Sequence, residues 1–326
     1  MSHPRLRVVV SACLLGEPVR YDGGHKRDAG LVALSEWVAW VPVCPERHLG
    51  VPREAVDLVG NPGNPRAVGV ETGRDRTAEL TARFPELLEA LARAGPEAAV
   101  LKARSPSCAV RSARVYAARP REDAPLLGQG LFAAALARRF PLLPRAEEET
   151  LRDPGARAAF FRRALALRRW GEARAGAPGL EALRAFHRRE KYNLMAHGQE
   201  RYRRLGPIVA GARPETAEAA WQAYEAALLA TLATAPTRAS HANVLQHLAG
   251  YFRDRADPGE RARLAEAIEA FRGGTTPLEA VLDRVRDLAQ RYGVAYLLDQ
   301  TYLRPHPLEL EGADPGTRGR ADGTSC

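Results

Sequence analysis

Cysteine and lysine are scarce in this 326-residue sequence, and long apolar runs are missing. Structural disulfides are not expected from the four cysteines, because the chain looks cytosolic. No apolar run approaches the roughly 20 residues of a membrane-spanning helix. The first residues, MSHPRLRVVV, also lack the apolar core of a signal peptide. We therefore expect a cytoplasmic protein that has no membrane segment.

Positive charge comes almost entirely from arginine, because the only lysines are Lys26, Lys102 and Lys191. Residues 152–204 contain 14 Arg or Lys and 5 Asp or Glu, a surplus that equals the net charge of +9 of the whole chain. Such a local surplus favours binding of a polyanion such as nucleic acid. The alternative is a solvated helical face that is rich in arginine because the coding genome is GC-rich or thermophilic.

Residue patterns divide the chain into an α/β half and a helical half. Up to about residue 146, short aliphatic runs alternate with helix-like segments such as 28–40 and 77–94, which predicts βαβ units and a parallel sheet. From residue 150 onward strand patterns stop, and six helical patterns follow, at 154–170, 179–205, 214–234, 240–253, 258–271 and 277–291.

These patterns predict a three-layer α/β domain with a parallel sheet, followed by an all-α domain. We expect the α/β domain over residues 1–148, the helical domain over 149–312 and a disordered tail over 313–326. The acidic residues 147–149 are the expected linker.

Three of the four cysteines follow predicted strands. The strands are 6–11, 41–43 and 98–101, and the cysteines beyond them are Cys13, Cys44 and Cys108. Ligands of open α/β sheets bind at the carboxyl ends of the strands, so the three sulfurs are expected at one edge of one sheet. An odd number of soft thiolates favours an iron–sulfur cluster or zinc over a disulfide. The alternative is three buried, inert thiols, and Cys326 is expected to bind no metal.

Each of these cysteines lies in a segment that carries further polar groups. The first segment is VSACLLGEPVRYDGGHK (10–26), the second is VCPERHLGVPRE (43–54) and the third is KARSPSC (102–108). Together the three motifs resemble the thiouracil desulfidase family, small α/β proteins that hold a [4Fe-4S] cluster on three cysteines. The helical half, through segments 186–206, 240–252 and 296–310, resembles the helical domain often fused to such proteins. The fused proteins are similar to bacterial tRNA 4-thiouridine desulfidases.

The resemblance implies that Cys13, Cys44 and Cys108 hold a [4Fe-4S] cluster. Three protein thiolates leave one of four irons open, and a soft thione sulfur suits that position. The implied substrates are 4-thiouridine in tRNA and thiolated pyrimidines, and the products are uridine and hydrosulfide. Exchange of C=S for C=O needs no electron donor.

Glu46 is the candidate general acid or base, because its carboxylate stands two residues beyond Cys44. Ser105, matched by its motif position, is the second candidate catalytic residue. The alternatives are a salt bridge from Glu46 to Arg20, Arg47 or Arg53, and a turn-capping role for the Ser105 hydroxyl.

In the helical half we expect phosphate contacts from six basic residues: Arg162, Arg163, Arg168, Arg169, Arg188 and Lys191. A second polar group either hydrogen-bonds RNA or is buried in the core: His241, Asn243, His247 and Tyr251. Two other functions stay open. One is desulfuration of free thiopyrimidines, with a helical domain that only dimerises or stabilises the enzyme. The other is a non-enzymatic metal–thiolate protein that binds RNA or senses redox state.

Overall fold

The computed structural model describes residues 5–51, 53–118, 123–176 and 179–306. These residues form two compact units that divide between Asp153 and Pro154, a few residues after the expected boundary. In the described part of the chain, no helix is long and apolar enough to cross a membrane. Cys326 and the predicted tail lie outside the described residues.

In its described residues, the first unit contains eight strands and four α-helices. The strands are β1 (Leu6–Ser11), β2 (Val38–Val43), β3 (Val56–Asn61), β4 (Asn64–Gly69), β5 (Ala98–Leu101), β6 (Ala113–Tyr116), β7 (Leu126–Gly128) and β8 (Arg145–Glu147). The helices are α1 (Ala29–Ala33), α2 (Thr77–Thr81), α3 (Phe84–Ala94) and α4 (Leu131–Arg139).

A four-stranded sheet of order β2-β1-β5-β8 forms the centre of this unit, and all its strand pairs are parallel. Val8, Val9 and Val10 of β1 are fully buried, as are all side chains of β5. Parallel strands covered on both faces have near-continuous apolar sequences, which is why these two runs could be recognised. The predicted α/β fold with a parallel sheet is confirmed.

A second sheet, of order β4-β3-β6-β7, was not predicted. Strands β3 and β4 form an antiparallel hairpin around Pro62 and Gly63, and β6 pairs with β3 in parallel and with β7 antiparallel. Its strands contain charged residues, glycine and proline, so they lack the continuous apolar pattern of the first sheet. The N-terminal unit is therefore built on two sheets rather than on one.

Two helix predictions in this unit were wrong in extent. The helix expected over 28–40 begins as predicted, because Asp28 caps α1 by accepting from the Leu31 N–H (3.1 Å). It ends early, at Ala33, and residues 38–40 belong to β2. The helix expected over 77–94 is split into α2 and α3, with Pro85 in the first turn of α3. Proline is favoured there because its missing N–H has no helical partner.

The second unit is entirely helical in its described residues, as predicted. Its helices are α5 (Pro154–Gly176), α6 (Leu180–Arg189), α7 (Lys191–His197), α8 (Gln199–Gly211), α9 (Ala217–Leu232), α10 (Arg238–Ala249), α11 (Pro258–Arg272), α12 (Leu278–Arg291) and α13 (Ala295–Leu298). The single helix expected over 179–205 is three helices. One break falls at Gly198, whose φ of 149° disfavours other residues.

The α4 helix begins against the loop that carries Cys108. A Cβ atom on Gly130 would lie 2.5 Å from the Ser107 carbonyl carbon and 2.8 Å from the Cys108 nitrogen. Only glycine allows this close approach, so Gly130 fixes the position of the Cys108 loop against α4.

We predict that Gly130→Ala destabilises the α/β unit by about 1–3 kcal/mol, because the new methyl group overpacks rigid backbone. The matched control is Gly171→Ala, which has open space around it on an exposed face of α5. There the substitution should stabilise its unit by about 0.5–1 kcal/mol. Urea unfolding of both variants measures the effects, and an unchanged or higher stability of Gly130→Ala would contradict the packing argument.

Candidate active site

The parallel sheet brings the three predicted cysteines together. Ser11, at the end of β1, pairs with Val43, at the end of β2, and Cys13 and Cys44 follow these residues. Cys108 lies on the loop after β5, the other neighbour of β1. All three thiols are free, and they line one cavity of about 720 Å³. This volume falls in the range of small-molecule binding sites.

The turn that carries Cys13 is held by backbone hydrogen bonds. Gly16, with a φ of 102°, ends the short 3-10 helix and donates its N–H to the carbonyl of Cys13 (3.3 Å). The Lys26 N–H donates to the same carbonyl (2.9 Å), so the glycine-rich loop folds back over the turn. The loop places Arg20, Lys26 and Arg27 at the cavity wall.

All three thiols are partly or fully shielded from water. Burial raises the pKa of Cys13 to about 11, and the nearby Cys44 contributes to that increase. Burial also raises the pKa of Cys44 and that of Cys108. Thiols in this state are protonated at neutral pH and are poor nucleophiles, so a bound cation is needed to hold them as thiolates.

The donor set is compatible with an iron–sulfur cluster. Within the described ranges, no group of three or more His, Cys, Asp or Glu side chains is placed to hold one metal ion, as mononuclear zinc requires. A cubane does not need such convergence on one point, because each thiolate binds a different iron. Three sulfurs around one cavity, two of them buried and that of Cys44 partly exposed, satisfy that requirement.

Glu46 lies in the same cavity and forms an ion pair. Its carboxylate accepts from the Arg53 guanidinium at 2.5 Å, and the two side chains are only 16% and 7% exposed. Arg53 is in turn fixed by the carbonyls of Val19 and Gly50. The Glu46 charge also raises the pKa of Cys44 and of Cys108, less than burial does. Of the three salt bridges considered for Glu46, the structure therefore contains the one with Arg53, and it lies inside the cavity.

Ser105 caps the turn that carries Cys108 and also lines the cavity. Its hydroxyl oxygen accepts from the backbone N–H of Ser107 (3.2 Å) and of Cys108 (3.1 Å). The hydroxyl proton is not used in these two bonds. Arg104, directly before it, has a φ of 59°, which is an uncommon conformation for a residue other than glycine. The turn-capping role expected as the alternative is thus present, together with a hydroxyl that can still donate.

Two charged residues of the cavity were missed by the sequence interpretation. Lys102 directly follows β5 and pairs with Glu148, which directly follows β8 and is 3% exposed. Glu148 also accepts from the Ala103 N–H (2.7 Å). The residues expected as a linker therefore supply the end of β8 and a buried carboxylate. A detectable signal was the position of Lys102, one of three lysines, at the end of a predicted strand.

A third missed residue, Ser11, ends the central strand and is 2% exposed. Its hydroxyl accepts from the Lys102 N–H (2.9 Å). Burial dominates the raised pKa of Cys108, and the Ser11 hydroxyl beside the sulfur lowers it. A serine within an apolar strand gives no such indication in the sequence alone.

The six predicted basic residues of the helical unit do not form one exposed surface. Arg162 is 4% exposed and lies 3.3 Å from the His241 Nε2, so its inclusion was wrong: a buried side chain cannot reach a phosphate. Arg163 is partly exposed, and partial burial lowers the pKa of its guanidinium. Arg168 pairs with Glu172 (3.0 Å) and Arg169 with the buried Glu190 (2.6 Å).

Arg188 is exposed and Lys191 is partly exposed, and among the described residues neither forms an ion pair. The polar residues of the second group also separate. His241 is fully buried and bonded to the Tyr302 hydroxyl at 2.8 Å, and Asn243 donates to Gln199 (3.2 Å). His247 is exposed and Tyr251 partly exposed.

Comparison with known proteins now adds to this geometry. The family model "2-thiouracil desulfurase" matches residues 8–148, and a model described as a protein of unknown function, DUF1722, matches residues 191–307. A solved structure titled as the [4Fe-4S]-dependent thiouracil desulfidase TudS is 35% identical, covering 45% of this chain and 94% of that one, with a TM-score of 0.37.

A curated relative is the uncharacterised protein YbgA of Escherichia coli K12. It is 35% identical over 127 residues, which make up 39% of this chain and 75% of YbgA. The recognition made from the three cysteine motifs and the helical segments is confirmed. The α/β unit thus matches the 2-thiouracil desulfurase family model, and the helical unit that follows it matches DUF1722.

Proposed function

We propose that this protein is a cytoplasmic [4Fe-4S]-dependent desulfidase that converts 4-thiouridine in tRNA to uridine. Water replaces the thione sulfur, so that C=S and H2O give C=O and hydrosulfide with one proton. The observation that carries the proposal is the cavity in which three strand-end thiols meet Glu46 and Ser105. Its place inside the segment matched by the desulfurase model supports the same chemistry.

In this proposal Cys13, Cys44 and Cys108 hold the cluster, which supplies an open iron for the soft thione sulfur. Glu46 accepts a proton from the water that attacks the ring carbon, and Arg53 keeps the carboxylate in place. Ser105 donates its hydroxyl proton towards the substrate, since its oxygen is already engaged by two N–H groups.

The helical unit is proposed to bind the tRNA. This proposal is supported by the surplus of positive charge in residues 152–204. Only those basic side chains that are exposed in the structure are candidates for phosphate contacts. Among the predicted set, Arg188 and Lys191 meet that condition best. Desulfuration of free thiopyrimidines needs only the cavity and remains the second candidate activity.

We expect each of Cys13→Ala, Cys44→Ala and Cys108→Ala to lose the cluster, because each removes one of its three thiolates. Cys326→Ala is the matched control and should keep it. Iron and acid-labile sulfide are measured on anaerobically purified protein, with about four irons expected per wild-type chain. Full iron content in Cys44→Ala would contradict the ligand set, and one tightly bound zinc in the wild type would favour the non-enzymatic metal–thiolate protein.

Glu46→Gln should retain the cluster but turn over about 10²- to 10⁴-fold more slowly, the usual contribution of a positioned general acid or base. Glu97→Gln is the control, because Glu97 also pairs with an arginine (Arg7, 3.4 Å) but lies outside the cavity. Turnover of 2-thiouracil, iron content and melting temperature are measured together. Wild-type turnover in Glu46→Gln would reduce Glu46 to a structural ion-pair partner.

Reversal of charge at Arg188 and Lys191, both to Glu, should weaken tRNA binding and flatten its salt dependence. Each lost phosphate contact should reduce the log–log slope by about 0.7–0.9. The control reverses Arg263 and Arg284, two exposed arginines elsewhere in the unit, with the same change in net charge. Titration of tRNA at several salt concentrations is the measurement. Equal effects in both double variants would indicate that only net charge matters.

A further inference from the structure

Four tyrosines of the helical unit come together from four separate elements. They are Tyr192 of α7, Tyr202 of α8, Tyr251 in the 3-10 turn after α10, and Tyr296 of α13. We refer to these four residues as the tyrosine cluster. The Tyr192 hydroxyl donates to the Tyr251 hydroxyl at 3.1 Å, and the rings of Tyr251 and Tyr296 stack with centroids 5.8 Å apart and planes 23° apart.

The inner side of the cluster packs on the core, but its outer side does not. Tyr192 is 1% exposed, whereas Tyr202, Tyr251 and Tyr296 are partly exposed and lie at the edge of the apolar core of α10, α11 and α12. Core packing alone needs aromatic rings and no hydroxyl groups. The convergence of phenol groups at a partly exposed position therefore points to a role beyond packing.

Two of these phenols, those of Tyr202 and Tyr296, keep their protons over the physiological range. Burial raises the pKa of Tyr202 to about 12, with smaller contributions from Tyr296 and Tyr251. Burial raises the pKa of Tyr296 as well, and Tyr251 adds to it. These side chains therefore present O–H donors and neutral ring faces rather than negative charge.

Positive charge lies directly beside these rings. The Lys191 Nζ is 5.0 Å from the ring centroid of Tyr192 and 5.9 Å from that of Tyr296, within the range of cation–π attraction. Arg188 is exposed, and its charge acts on Tyr296. The opposing charge of Asp299 also acts on Tyr296, and Asp299 pairs with Arg189 at 3.2 Å. The patch thus combines ring faces, hydroxyl donors and two cations.

We propose that the tyrosine cluster, with Lys191 and Arg188, binds an unpaired nucleotide of the RNA substrate. The base extends the stacked pair of Tyr251 and Tyr296, while the two cations contact the adjacent phosphates. Base stacking on aromatic side chains next to cations is the usual way in which proteins hold single-stranded nucleic acid. This inference rests on the proposed binding of tRNA by the helical unit and assigns it a surface.

An unpaired nucleotide fits the patch better than the other polyanions do. A duplex hides its base faces inside the stack and would use only the two cations. A plain phosphate surface would leave the stacked ring pair without a partner. The proposal therefore requires that single-stranded RNA binds more tightly than a blunt duplex of the same sequence.

The test compares Tyr296→Ala with Tyr296→Phe in the full-length holoprotein, using tRNA, a single-stranded 12-mer RNA and its blunt duplex as probes. Alanine should weaken single-strand and tRNA binding about 5- to 150-fold, the range for loss of one stacked base, and phenylalanine should largely restore it. Tyr292→Ala is the control, because its hydroxyl bonds Glu260 outside the cluster. Melting temperature is measured for each variant.

The outcomes separate the two levels of the argument. If the wild type does not bind tRNA, the proposed function of the helical unit fails. If the wild type binds tRNA but Tyr296→Ala binds equally well, or if the duplex binds as tightly as the single strand, only the tyrosine cluster is overturned. Should Tyr296→Ala unfold, photo-crosslinking of the wild type to a bromouridine-containing 12-mer decides. Crosslinks at Tyr251 or Tyr296 are expected, and crosslinks confined to other regions contradict the proposal.

Discussion

The parallel pairing of β1 with β2 on one side and with β5 on the other is the constraint on which the site depends. Parallel strands point their carboxyl ends to one edge, so segments far apart in sequence must meet there. The chain uses this edge four times: Cys13 follows β1, Cys44 and Glu46 follow β2, Lys102 follows β5, and Glu148 follows β8. The thiols thus depend on sheet register and not on their spacing along the chain.

Sequence patterns predicted this first sheet because its strands are continuous apolar runs. The cysteines could be assigned to one edge for the same reason, and the motifs then identified the family. The second sheet escaped prediction because strands such as β4 and β7 mix glycine, proline and charge in short segments. Likewise, Glu148 looked like part of a solvated acidic linker until its burial and its contact with Lys102 were visible.

Charge counting was less successful than pattern matching. A surplus of arginines describes only the composition of a segment. An arginine can bind a phosphate only if its side chain is exposed, and its exposure depends on tertiary packing. Arg162 is buried beside His241, and Arg169 neutralises the buried carboxylate of Glu190. A buried Glu without this partner would be costly, so part of the surplus serves the fold. Of the six predicted residues, Arg188 and Lys191 remain accessible beside tyrosines, a combination that residue counts do not reveal.

In the proposed reaction, the α/β unit carries out the desulfuration and the helical unit binds the tRNA. The most direct measurement is anaerobic incubation of the iron-loaded, full-length protein with tRNA that contains 4-thiouridine. Nucleoside mass spectrometry and a hydrosulfide assay follow the reaction. The proposal predicts that each 4-thiouridine lost gives one uridine and one hydrosulfide, without an added electron donor. If 4-thiouridine stays intact after long incubation with iron-loaded protein in large excess over the tRNA, the proposal is contradicted.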